Sequence, residues 1–393
     1  MKNRGFSFLV PWFSDGAFAL IVTAVPLLAL RLGVSVLMLG TIGWVAQVAR
    51  LPVTLTSGQL SEKTGRAAVI VPAACVIALC AVGIGFSRSY LQIIVLYTLI
   101  TAAYGAFYPP LQALVGDVSE HGDLRKNLGA FNLGWCIGGA VCAIAARWLV
   151  RLGLPLTFFT GAAGAFVAGG LVIIWQRRRP PVPQASDLET PIKLAVSPVI
   201  EQTPPEHSHV LLFIARMGHF IGFFAAGVIR ILFPKLGMSL GWSESRIATV
   251  VAMLLVGQAV AMITTGTSDW WRGKTWPQAV AQSAMMVCAL VCVWANSPLA
   301  LGAAFLITGL AQGVAYTAAL YHGLASGAPH GKMTGIHESL VCAGYVAGNL
   351  IGGLVAQIVS QRAPYMALAA LAGVSLVITT VLWRRTYIIQ AHY

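Results

Sequence analysis

Asp15 is a carboxyl group set inside the apolar run Phe6–Leu30, and Arg50 is a guanidinium inside the run Val36–Leu55. An ionisable side chain surrounded by apolar sequence is costly to keep, so such positions are functional candidates before any other. Asp15 lies about nine residues into its run, and Arg50 about eight residues before Gly58. If the two runs are antiparallel helices, both side chains reach a similar depth, roughly 12 Å at 1.5 Å per residue. They then either pair or share a water-filled cavity, and protonation of Asp15 would loosen the pair. A permanent buried ion pair is the competing expectation. A third run carries Arg216, His219 and Arg230. Arg230 is expected near its outer end with its head snorkelling to water. Arg216 either snorkels at the other end or faces inward. His219 is either a hydrogen-bonded core histidine or part of a cavity wall. The embedded bases Arg50, Arg216 and Arg230 outnumber the embedded acids Asp15 and Glu338, which favours an anionic or polar small molecule over a lipophilic cation.

The elements that must hold these groups are membrane spans. The 393 residues are 58% hydrophobic and only 9% charged, whereas soluble domains carry about 25% charged residues. A span needs roughly 20 mostly apolar residues. That ruler marks twelve: Phe6–Leu30, Val36–Leu55, Ala67–Phe86, Leu91–Val115, Leu128–Leu149, Leu154–Trp175, His209–Phe233, Ser245–Thr265, Trp276–Trp294, Leu299–Tyr321, Gly335–Val359 and Pro364–Leu382. Between the sixth and seventh lies a polar stretch, Gln176 to Ser208, with seven prolines and four acids, whose composition reads as a linker. The expected organisation is therefore a six-helix bundle over 1–176, a link over 177–208 and a second bundle over 209–393. The first run carries Asp15 and leads directly into a second span, unlike a cleavable signal.

Loop charge gives the orientation. One set of loops and flanks holds Lys2, Arg4, Lys63, Arg66, Arg125, Lys126, Arg177–Arg179, Lys193, Arg272, Lys274, Lys332, Arg384 and Arg385. The other holds Arg31, Arg88, Arg147, Arg151, Lys235, Arg246 and Arg362. The richer set should face the cytoplasm, with both termini, in an inner membrane. Trp148, Trp175, Trp242, Trp276, Trp294 and Trp383 stand near span ends, as interfacial anchors do. The net charge of +13 is scattered among these loops and forms no single patch, which argues against a nucleic-acid partner. All seven cysteines lie within apolar runs without a CxxC pair, so neither a disulfide frame nor a metal site is expected. No phosphate-binding glycine loop occurs in a polar context, and no cofactor is expected. A membrane-embedded enzyme would need a catalytic cluster; His121 with Asp117 and Asp123 is the one candidate, and an enzyme is not the expectation.

Six spans, a link and six spans suggest an internal repeat. Gly134-Trp135-Cys136-Ile137-Gly138-Gly139 in the fifth span is echoed by Gly348-Asn349-Leu350-Ile351-Gly352-Gly353 in the eleventh. The segment after the second span, Gly58-Gln59-Leu60-Ser61-Glu62-Lys63-Thr64-Gly65-Arg66, resembles the signature of the major facilitator superfamily, at the place where that family carries it. Glu62 replaces the usual aspartate and Ala67 the second basic residue. Gly266-Thr267-Ser268-Asp269-Trp270-Trp271-Arg272-Gly273-Lys274 is a degenerate second copy.

The resemblance implies an all-α membrane fold of two pseudo-symmetric six-helix bundles. It also implies a monomeric secondary transporter that moves a small-molecule substrate by alternating access, with protons as the driving partner. A transporter-shaped sensor or scaffold is the alternative, and among transporters a multidrug/proton antiporter. The latter is weakened by Thr101, where antiporters carry arginine, and by Trp135, where their signature has proline. In family terms the signature segment forms a cytoplasmic gate, with Gly58, Glu62, Lys63, Gly65 and Arg66 in the first copy and Asp269 in the second, holding that side shut while the cavity faces outward. Asp117 would be the partner of Arg66, and Glu338 would either meet Lys63 or Arg66 across the two halves or merely complement its own helix N-terminus. The first, fourth, seventh and tenth spans would line the path, which makes Tyr97, Tyr104, Tyr108, Gln312 and Tyr321 candidate contacts. Asn132, Gln258 and Asn349 either face inward or bridge helices.

Overall fold

The computed structural model describes residues 3–117, 124–177, 205–326 and 330–391. His121, Asp123 and most of the expected link lie outside the described residues. Among the described residues every regular element is a helix, and twelve segments are long and apolar enough to cross a membrane. They are α1 (Asn3–Arg31), α2 (Val36–Thr64), α3 (Arg66–Gly85), α4 (Tyr90–Asp117), α5 (Leu124–Leu152) and α6 (Leu154–Arg177), then a seventh span in three pieces. Those pieces are α7 (Pro205–Gly227), a wide π turn (Val228–Leu232) and α8 (Phe233–Ser239). α9 (Glu244–Thr267), α10 (Trp276–Trp294), α11 (Pro298–Leu324), α12 (His330–Ile358) and α13 (Ala363–Ala391) complete the chain.

In the first half α1 packs on α5 and α6, α2 on α4, and α3 on α4 and α6. The second half repeats these pairs: α7 on α12 and α13, α9 on α11, and α10 on α11 and α13. The halves meet along α2 with α12 and α5 with α9, which are the same contact exchanged by a two-fold relation. The register of the repeat is carried by single residues. A Cβ on Gly105 would strike the Arg50 carbonyl, and one on Gly313 would strike that of Gln258. The same interval separates Ser35 from Ser243, whose side chains cap α2 and α9 alike. Arg50 therefore matches Gln258, and Tyr108 matches Tyr316.

The glycine echo is present but shifted. Gly134 and Gly138 press against the carbonyls of Phe8 and Trp12, and Gly344 and Gly348 against those of Phe220 and Phe224. The matching pair is thus one turn earlier than the sequence alignment of Gly134 with Gly348, because backbone contact and not residue order fixes the register. α3, α6, α10 and α13 make no substantial contact between halves, and their outer faces expose Leu79, Phe166, Val287 and Val377, among others.

Two elements differ from the sequence expectation. The segment Gly58–Thr64 is not a loop: it continues α2, and only Gly65, at φ 93°, turns the chain into α3. Hydroxyls of Ser61 and Thr64 bond back to the carbonyls of Gly58 and Leu60, so these polar side chains find partners without interrupting the helix. The seventh span runs past Phe233 to Ser239. Pro234 has no N–H to give the preceding turn, and the Phe233 N–H instead reaches the Val228 carbonyl five residues back. A wide turn of this kind often marks a functional position.

Candidate functional site

A cavity of about 400 Å³ lies between the two halves, within the range of small-molecule sites. α1, α2, α4, α5, the seventh span, α9, α11 and α12 contribute to its wall. Since α2 runs from 36 to 64, Arg50 stands at its midpoint, and Asp15 is close to the middle of α1. Both line the cavity, deeper than the loop assignment implied because α2 is longer.

Asp15 and Arg50 share the cavity without forming an ion pair. Arg50 instead lies 3.6 Å from Glu338 of α12, and its Nε has no hydrogen-bond partner. Glu338 is therefore not at the rim with Lys63 or Arg66: the pairing expected there is replaced by a cavity-level link between halves, because α12 begins at His330 and places Glu338 more than two turns inside. The Asp15 Oδ2 is buried and makes no hydrogen bond. The backbone beside it is held by Tyr104, whose hydroxyl donates to the Ser14 carbonyl at 2.5 Å. Tyr108 shares a 3.0 Å hydrogen bond with the Ser14 hydroxyl. Tyr104 and Tyr108 line the cavity, and Tyr97 is buried behind it.

Arg230 does not snorkel. It sits in the π turn, only 7% exposed, and lines the cavity. The span continues to Ser239, so Arg230 stands more than two turns from its end, two helical turns beyond the cavity-lining Phe223. Its Nη1 donates to the Tyr345 hydroxyl at 3.1 Å, and its guanidinium lies 5.6 Å from the centre of the Phe18 ring. Among the described residues no carboxylate lies within ion-pair distance of it.

His219 is fully buried and outside the cavity wall, stacked on His337 at 4.2 Å, with Nε2 3.3 Å from the His337 carbonyl. His337 itself lines the cavity. Arg216 lies away from the cavity in an apolar lateral groove between α7, α12 and α13, near the Met333 sulfur. Gln312 is buried behind the wall, where it fills the space above Gly222. Tyr321 packs on Trp271 and Arg272 near the end of α11. Thr101 is a buried hydroxyl bonded to the Tyr97 carbonyl, and Trp135 forms part of the cavity wall against Tyr316. Asn132 and Gln258 face the cavity, whereas Asn349 packs against Gly40 and Gly43 between α12 and α2. Sequence reasoning did not single out Phe18, Phe223, Tyr316, His337 or Tyr345. The two-fold match of Tyr108 with Tyr316 was the available signal.

At the end carrying Gly58–Arg66, Arg66 pairs with Asp117 at 3.0 Å, bonds the Ser61 hydroxyl, and reaches Glu62 at 4.0 Å. Lys63 is exposed. Asp269 pairs with Arg272 at 2.8 Å within its own segment. Gln112 and Asn132, both exposed, extend the cavity towards this end. At the opposite end the halves are closed by a fork-to-fork pair, Arg31 Nε and Nη2 to the two carboxylate oxygens of Glu244, each 2.6 Å.

Comparison with known proteins agrees with this geometry. The nucleoside transporter NupG superposes with a TM-score of 0.74 at 10% identity, covering 98% of this chain and 99% of that one. A bacterial homologue of the human lysosomal transporter Spinster, inward-facing and unoccupied, gives 0.67 at 15% identity over 97% and 95%. The human organic anion transporter MFSD10 gives 0.66 at 15% over 96% and 98%. These likenesses are of fold. In sequence, a probable 4-methylmuconolactone transporter of Cupriavidus pinatubonensis is 28% identical over 158 residues, which cover 39% of this chain and 36% of that relative. The profile of the Major Facilitator Superfamily matches residues 7–323, and the chain belongs to that superfamily.

Proposed function

We propose that the chain is a proton-coupled secondary transporter of a small anionic or polar solute. Its halves, 1–176 and 209–393 joined by 177–208, rock about the central cavity. The observation that carries the reading is Asp15: a carboxyl group at mid-membrane depth, facing the cavity, with one oxygen buried and unpartnered. An acid in that position can exchange a proton with whichever side the cavity faces. Each exchange changes the charge between the halves by one unit. The excess of Lys and Arg on the Gly58–Arg66 side supports a cytoplasmic location for that side and for both termini, in an inner membrane. The aromatic walls suit a compact organic solute, and the partial likeness to a 4-methylmuconolactone transporter points the same way. A monomer is sufficient, since both halves of the cavity come from one chain.

The test is transport in proteoliposomes with an imposed pH gradient, using solutes first found by thermal stabilisation of the purified protein. Asp15→Asn should abolish gradient-driven accumulation of the solute while solute exchange and folding persist. Accumulation that survives Asp15→Asn would remove Asp15 as the coupling group.

A further inference from the structure

The cavity holds two guanidinium groups, and their surroundings differ. Arg50 is met across the cavity by Glu338 at 3.6 Å. Arg230 has a ring face and a hydroxyl for company and no carboxylate in ion-pair range among the described residues. Asp15 lines the same cavity and stops short of an ion pair with either arginine. A guanidinium has five N–H donors, and Tyr345 takes one of those on Arg230. Among the described residues the remaining donors of Arg230 have no protein partner and open to the cavity.

We propose that Arg230 is the anchor for a carboxylate on the transported solute, and that the solute is a small planar monocarboxylate; this rests on the transport reading above. The fork of remaining N–H donors matches a carboxylate in two parallel bonds, a geometry lysine cannot reproduce. Phe18 beside the guanidinium and the Tyr345 hydroxyl at Nη1 hold the group in place. The neighbouring rings of Phe223, Tyr316 and Trp135 offer flat apolar surface to the body of the solute. With Asp15 protonated and Glu338 answering Arg50, one positive charge in the cavity is left over, which favours a monocarboxylate over a dicarboxylate. The continuation of the span to Ser239 keeps Arg230 away from the end where it was expected to snorkel, and its position two helical turns beyond Phe223 puts it on the same wall. Asp15 is one turn from Phe18 on α1, so its ionisation would compete electrostatically with the solute for Arg230. Protonation of Asp15 and anion binding should then favour each other.

The experiment is thermal stabilisation of the purified full chain by benzoate and 2-furoate, each set against its neutral amide, in wild type, Arg230→Lys, Arg230→Gln and Arg216→Gln. The expected result is stabilisation by the carboxylates and not by the amides. Apparent affinity should fall at least about tenfold in Arg230→Gln, fall in Arg230→Lys, and hold in Arg216→Gln. Arg230→Lys keeps the charge, so it reports on the fork geometry should the glutamine variant fail to fold. Equal stabilisation by acids and amides, no response to any carboxylate, or an unchanged response in both Arg230 variants would overturn the proposal. Flux of some solute that survives Arg230→Gln would also overturn it and leave the transport reading standing. Carboxylate binding that depends on Arg230, without flux in proteoliposomes, would sustain the anchor and remove the transport reading.

Discussion

Arg50 and Glu338 form a link that neither half can make alone, since one stands on α2 and the other on α12. Breaking a largely desolvated pair by removing one partner leaves an uncompensated charge and costs about 3–5 kcal/mol, whereas replacing both costs much less. Glu338→Gln and Arg50→Met should each destabilise the protein by about that amount, and the double variant should be more stable than either single one. A double-mutant cycle on thermal or denaturant stability checks this; additive losses would show that the two groups do not interact. Part of this site was legible from residue type alone. Asp15 and Arg50 stood out because charge inside an apolar run has few structural uses, and Tyr104 and Tyr108 because the family resemblance put their span on the path. Arg230 was visible as a charge, but its depth was not, because the span runs on past Phe233 to Ser239 through a proline that reads as a helix end. Tyr316, Tyr345 and His337 were hidden for another reason. An aromatic ring in a span serves lipid contact, packing or binding with the same composition, and only its partner helix tells them apart.

Among the elements, the contact of α1 with α5 shows how glycine sets a helix distance. Helices in a membrane associate through close packing of small residues, and Gly134 and Gly138 let the α1 backbone approach at Phe8 and Trp12. Gly138→Ala would place a methyl group against the Trp12 backbone, which cannot move aside as a flexible side chain can, and overpacking of this kind costs about 1–3 kcal/mol. Gly170 on α6 is helical too, yet a Cβ there would meet open space. Gly170→Ala should therefore stabilise the protein by up to about 1 kcal/mol through helix propensity. Opposite signs for the two substitutions in a stability assay are the expected outcome. Twelve spans could be read from the chain because each must be long and apolar to cross the bilayer. Their polar ends could not, as α2 demonstrates: Gly58–Thr64 has the composition of a loop, but its hydroxyls bond back within the helix and leave the backbone ladder intact. Sequence composition marks where hydrocarbon ends, not where the helix does.

At the scale of the whole molecule the structure is closed at one end and reached from the other. The closed end combines the Arg31–Glu244 fork with the tight passage of Gly40 and Gly43 over Asn349. The opposite end has its ion pairs, Arg66–Asp117 and Arg272–Asp269, confined within single halves. In the proposed alternating access the closed end would also open, so its contacts would have to be weak enough to break in each cycle. Arg31–Glu244 is the one ion pair between halves at that end among the described residues, and Arg31 is 49% exposed. Solvent screening limits such a pair to about 1 kcal/mol, which is roughly a fivefold change in the ratio of the two conformations. Removing it with Arg31→Ala or Glu244→Ala should raise the population open at that end by about this factor. Arg31→Glu combined with Glu244→Arg should restore it. Spin labels at Ser89 and Ser360, on a background with the seven cysteines replaced, would report the change as growth of a longer-distance population. If both single variants left the distance distribution unchanged, the passage of α2 over α12 would hold that end shut without help. The swapped pair separates charge from packing, since it preserves the attraction while exchanging the side chains that carry it.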